Sequence, residues 1–189
     1  AITHHEKSFY WISFPFDVKI KDVFGLGKYG QKWLIEPYDG KKRSEEGLVT
    51  TGWKYITNTG TILKANKGYV LSLDYNLLLQ ENMFDGSTDG KISIFFPSRY
   101  LQNKQVIKNE EDVVVSLPEY VSNATAPHHW NWHTIGVPSF ANSKVTIEQN
   151  DMPFVYEYWH PGDAYGPVAH GEKPLKAMHS YMAQYSGNI

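Results

Sequence analysis

His128, His129 and His133 lie close together around Trp130 and Trp132, and His160 and His170 follow further along the chain. Zinc or iron needs three such ligands converging, preferably with a carboxylate such as Glu157. His129 and His133 would share one face of a helix, but Pro127 and the aromatic strand pattern around them argue for extended chain. These histidines are therefore read as amphipathic side chains at a seam, with no metal. Glu36 and Glu157 stand at matching places in two similar stretches and could meet as the carboxylate pair that glycosidases use. Each also precedes a turn that it could cap. A carbohydrate-active hydrolase or accessory domain using Glu36 and Glu157 is thus the opposing reading.

Asp85, Ser87 and Asp89 with Gly90 resemble the first half of a calcium loop, but Phe96 stands where the bidentate carboxylate belongs. A turn whose Asp side chains cap their own backbone is the simpler reading, and a weak calcium site at Asp85 to Gly90 stays open. Gly25-Leu26-Gly27-Lys28-Tyr29-Gly30 fits the dinucleotide fingerprint, which works only when its last Gly opens a helix. A short aromatic stretch ended by Pro37 follows instead, so the segment reads as a Gly-rich loop. There is no Gly-x-Ser-x-Gly elbow and no Cys, so neither nucleophile is offered. No cofactor is expected, and neither metal nor nucleotide should be needed for folding. The remaining candidates are aromatic: Trp130, Trp132, Tyr158, Trp159 and Tyr165 lie in or near loops where a core need not claim them. Aromatic faces beside polar groups hold sugar rings on β modules, although the same residues could fill a seam.

The elements that would position these groups are strands. In Tyr69-Val70-Leu71-Ser72-Leu73-Asp74, Tyr69, Leu71 and Leu73 share one parity, the pattern of a half-buried strand. Leu63-Lys64-Ala65 precedes it, and Leu175-Lys176-Ala177 likewise precedes Tyr181. The aromatic run Phe9 to Phe16 is interrupted by Pro15, and Trp130 to Val137 repeats the theme before Pro138. Trp33-Leu34-Ile35-Glu36, closed by a turn over Pro37 to Gly40, is echoed by Phe154-Val155-Tyr156-Glu157 and the turn Tyr158-Trp159-His160-Pro161-Gly162. Three matched elements in one order imply two divergent copies of a β unit, with Tyr69 and Tyr181 in equivalent buried positions. The expected fold is all-β, a β-sandwich or related antiparallel architecture with an internal duplication.

The expected organisation is a loosely attached lead-in at 1–8, a first copy at 9–76, a connecting segment and linker at 77–131, and a second copy at 132–189. Within these, 41–47 reads as a charged loop, 53–56 and 61–63 as the arms of a hairpin, and 77–79 as a helical turn. Residues 92–96, 106–107 and 113–117 read as further strands, and 120–127 as a linker. Trp11 and Trp33 sit inside strand patterns and should be core. In contrast, Trp159, in its turn, should be exposed.

The 189 residues can bury a substantial core, and the net charge of −2 gives no electrostatic reason to expect nucleic acid. No apolar run approaches the length of a membrane span. The 6 Trp, 13 Tyr and 9 Phe favour strands and large buried faces. A chain opening at Ala1 without a leader reads as a mature or excised segment.

Trp11-Ile12-Ser13-Phe14-Pro15-Phe16, Ile135-Gly136-Val137-Pro138 and the two Leu-Lys-Ala…Tyr segments resemble β modules of large secreted surface proteins of Bacteroidetes. The likeness spans most of 9–76 and 132–187; His179-Ser180-Tyr181 departs from its Gly-aromatic pattern, and 77–131 has no counterpart. The resemblance implies an exported β-sandwich-like module beside other domains of one polypeptide, and it carries over no catalytic residue. The expectation is a non-catalytic, extracellular or cell-surface module for adhesion, spacing or binding of a glycan or surface protein.

Overall fold

The computed structural model describes residues 2–3, 8–80, 93–102, 112–147, 150–151, 155–159, 164–168 and 174–189, with the backbone alone at 80, 102, 150–151, 158–159 and 164–168. The Asp85 to Gly90 turn, the 106–107 strand, and His160 and His170 lie outside the described residues.

In chain order the strands are β1 (Phe9–Ile12), β2 (Val18–Lys19), β3 (Trp33–Pro37), β4 (Ile62–Leu63), β5 (Tyr69–Leu73), β6 (Ser116–Leu117), β7 (Trp132–Gly136), β8 (Thr146–Ile147), β9 (Asn150–Asp151), β10 (Val155–Trp159), β11 (Ala164–Val168), β12 (Ser180–Gln184) and β13 (Gly187–Asn188). The helices are α1 (Gly40–Glu46), α2 (Tyr75–Gln80) and α3 (Arg99–Gln102). Among the described residues every sheet is antiparallel, which gives the all-β class.

The echo read in the sequence is present in the sheets. The first sheet has the order β1-β5-β3, and the second contains β7-β12-β10 with β11 added beyond β10. In both, the last strand in the chain is inserted between the two earlier ones. The register agrees as well: Ile12 faces Tyr69 and Ile135 faces Tyr181. Lys64 N–H donates to the Tyr69 hydroxyl at 2.7 Å, and Lys176 N–H donates to the Tyr181 hydroxyl at 2.8 Å. The residues facing inward also correspond. Ile12, Phe14, Ile35, Leu63, Tyr69 and Leu71 belong to one hydrophobic cluster, and Ile135, Val137, Val155, Leu175, Tyr181 and Ala183 to another.

The two units meet through reciprocal backbone contacts. Ser13 N–H donates to the Met178 carbonyl at 3.0 Å, and its counterpart Gly136 N–H donates to the Asn66 carbonyl at 3.2 Å. A Cβ on Gly136 would lie 2.6 Å from the Ala65 carbonyl oxygen, inside any tolerated contact, so this close approach requires glycine. The matched positions Gly68 and Ser180 confront each other at the same seam.

The register corrects one equivalence. Ile35 faces Leu71 and Glu36 faces Val70, whereas Val155 faces Ala183 and Tyr156 faces Met182. With Tyr69 matched to Tyr181, the counterpart of Glu36 is Tyr156, and Glu157 falls one residue further on. A one-residue slip moves a side chain to the other face of the sheet, so Glu36 and Glu157 are not equivalent.

Other expectations are corrected by tertiary context. The charged loop at 41–47 is α1: the Asp39 carboxylate accepts from Lys42 N–H at 3.0 Å, and Gly47 closes the helix. Lys41–Glu45 and Lys42–Glu46 pairs line its exposed side. The hairpin over 53–63 is absent, because Trp53 bridges to Tyr38 while β4 pairs with β2. Strand β5 is buried on both parities, with Val70 at 7% and Ser72 at 0% exposure, since it is the central strand, and Asp74 just beyond its end is buried too. Trp33 is core at 1% exposure, but Trp11 is half-buried, edge-on to the Trp53 ring at 5.0 Å. The 113–117 strand shrinks to β6. Of 92–96, Phe95 forms an isolated bridge to Phe24. The lead-in is tied down at Thr3, whose N–H donates to Asp74 Oδ1 at 3.1 Å and whose carbonyl accepts from Tyr75 N–H at 2.8 Å.

Candidate functional site

Strand β7 is the second unit's counterpart of β1, and helix α1 of the first unit packs against it. The junction is tight: a Cβ on Gly40 would collide with the Trp132 carbonyl oxygen, so only glycine lets the helix start there. Burial of Arg43 on α1 completes the contact. Its guanidinium lies 4.2 Å from the Trp132 ring centre, and its Nη1 donates to the Tyr38 hydroxyl at 3.1 Å. Trp132 is further fixed by its Nε1–H, which donates to the His128 carbonyl at 2.8 Å, and by the Tyr156 ring at 5.5 Å.

The stretch read as a linker, 120–127, is pinned over this junction. Tyr120 N–H donates to Asn131 Oδ1 at 2.7 Å, and the Thr125 hydroxyl donates to the Ser44 carbonyl of α1. Tyr120 stacks on the His133 ring at 4.9 Å.

Between these walls lies a cleft of about 510 Å³. Tyr38, Tyr55, Tyr120 and Trp132 supply its aromatic surface, and Asp39, Lys54, Asn66, Lys67 and His133 its polar groups. The volume is within the range of small-ligand sites, which run from about 300 to 1,000 Å³. Tyr55 is 52% exposed in the wall of this concavity. A large ring left open to solvent inside a hollow is available to a ligand.

Burial governs the site's electrostatics. His133 is 8% exposed, and desolvation, helped by the nearby Lys67 charge, lowers its pKa to about 4. The imidazole is therefore neutral at pH 7. Its Nε2 has no hydrogen-bond partner, and neither do Arg43 Nε and His129 Nδ1. Tyr38 and Tyr120 are both shifted up by burial; Arg43 opposes the shift at Tyr38, and the Asp39 charge adds to it at Tyr120.

The residues anticipated from sequence are only partly assembled here. Trp132 lines the cleft, while Trp130 stands outside it, its Nε1–H donating to the Thr125 hydroxyl at 3.2 Å. Tyr158 and Tyr165 are cross-strand partners of β10 and β11, and Trp159 is the last residue of β10 rather than part of a turn. His128 and His129 have ring centres 4.1 Å apart, with His133 stacked elsewhere on Tyr120. Among the described residues, no three His, Asp or Glu side chains are grouped to hold a metal. Neither Glu36 nor Glu157 lines the cleft; the charge of Glu36 acts on Tyr29, and that of Glu157 on His179 and Tyr181. Gly30 leads through a turn into β3, not into a helix.

Sequence reasoning passed over Tyr38, Arg43, Lys54, Tyr55, Lys67 and Tyr120. The available signal was Asp39-Gly40 followed by Lys/Glu pairs four apart, which announces a capped helix.

Two other hollows are less suited to a ligand. In one of about 700 Å³, Asp22 is held by Arg99 at 2.7 Å and by the Tyr100 hydroxyl at 2.5 Å, and Asp17 by Lys64 at 2.6 Å. The other, about 470 Å³, is walled by aliphatic groups including Val113, Val115, Ile135 and Val137.

Compared with protein-family models, curated proteins and solved structures, the chain matches none. Among the described residues, no helix is long and apolar enough to cross a membrane.

Proposed function

We propose that this chain is a non-catalytic binding module that holds a glycan in the cleft between α1 and β7. The observation that carries the reading is Tyr55, an exposed ring in a concave wall shared with Tyr38, Tyr120 and Trp132 and interspersed with amide and charged groups. Aromatic faces beside a few polar groups suit the apolar faces and hydroxyl edges of sugar rings. The resemblance to secreted surface modules supports placing it outside the cell, in adhesion or display within a larger polypeptide. A glycan array probed with wild type and Tyr55→Ala tests the reading. Tyr55→Ala should weaken binding about tenfold, ~1.4 kcal/mol, while leaving the thermal midpoint unchanged. Binding that is indifferent to Tyr55 would remove the cleft as the site.

A further inference from the structure

Lys54 and Lys67 line the cleft, and among the described residues neither has an ion-pair partner. Both are exposed, and the charge of Lys67 reaches the buried imidazole of His133. The one carboxylate in the lining is Asp39, whose Oδ1 is already engaged by Lys42 N–H at the start of α1. Arg43, behind Trp132 and Tyr38, adds a further positive charge to the same wall. The cleft is thus cationic on a chain whose net charge is −2, an arrangement that attracts an anion locally.

His133 is set into the cleft wall. Its imidazole donates to the Pro118 carbonyl, so that nitrogen carries the single proton of the neutral ring. Nε2 is then a bare acceptor with no partner, on a residue more than nine-tenths buried in the cleft wall. That nitrogen is closed off from solvent, so the ligand meets the charged groups of the cleft rather than His133.

We infer that the ligand is an acidic sugar, its carboxylate set against Lys54 and Lys67; this rests on the glycan-binding reading above. Calorimetric titration with tri-galacturonic acid, its methyl ester and a neutral galactose trisaccharide tests it. The acid should bind about tenfold or more tightly than the ester, and raised salt should narrow the gap. The Lys54→Met, Lys67→Met double variant, altered at two exposed positions, should bind acid and ester alike. Equal binding of acid and ester by wild type would overturn the inference and leave glycan binding standing. An acid preference that survives in the double variant would also overturn it. If none of the three sugars binds, the glycan reading falls together with this one.

Discussion

The units built on β1-β5-β3 and on β7-β12-β10 share strand order, register and a buried tyrosine that accepts from a lysine N–H. They differ along β1 and β7. Register places Tyr10 opposite Leu71 and His133 opposite Ala183, so Tyr10 and His133 occupy the same position. Trp11 of β1 leans on Trp53 of its own unit, whereas β7 receives α1 from the other. The frame is set by hydrophobic packing, which tolerates little change. Around that frame the chain is free to diverge, and the candidate site lies beside β7, where the second unit has diverged.

The largest expected effect separates core from seam. Trp33→Ala should cost about 3–5 kcal/mol, as removal of a fully buried indole does. Trp11→Ala, at a half-buried position, should cost about half as much. Chemical denaturation of both variants checks this, and equal losses would put Trp11 in the core after all. Next come Tyr69→Phe and Tyr181→Phe, each of which strands one backbone N–H, that of Lys64 or of Lys176. Each should cost about 1–3 kcal/mol, and the two losses should agree. A large disparity between them would break the equivalence of the units.

The frame was legible because it is local and periodic. Aromatic and β-branched residues at alternate positions mark β3 and β5, and recurrence of Leu-Lys-Ala…Tyr marks the second copy. The failures were tertiary. Ile62-Leu63 looks like a hairpin arm, yet its partner is Val18-Lys19, distant in the chain. Ser72 on the second buried face of β5 and Asp74 just past its end are polar residues that read as solvent-facing until Lys32 and Thr3 cover Asp74. Glu36 and Glu157 align by eye, but pairing with β5 and β12 slips them by one residue. The cleft itself joins Tyr38 and Tyr55 to Trp132 and His133 through the docking of α1 on β7, and no sequence period reports such a junction. Trp132 was visible in advance as part of an aromatic surplus, and His133 as a side chain at a seam.

A smaller effect concerns acid sensitivity, which His133 carries and Tyr10 does not. His133 ionises near the usual 6.5 when unfolded and at about 4 when folded. Between those values the unfolded chain binds the extra proton, so stability is full above pH 6.5 and falls as pH drops toward 4. Thermal midpoints across that window should decline less steeply in His133→Gln. A residual slope should remain from His129 and His179, which are also shifted down, chiefly by desolvation. An unchanged slope in His133→Gln would mean that this imidazole is not buried in the neutral form.

Backbone amide chemical-shift mapping with tri-galacturonic acid tests the central claim most directly. Saturable shifts at Gly52, Tyr55, Lys67, Leu117 and Thr134, which surround the cleft, are the predicted result. Shifts confined to Tyr158, Trp159 and Tyr165 on β10 and β11, with the cleft silent, would contradict it and return the binding face to the far edge of the second sheet.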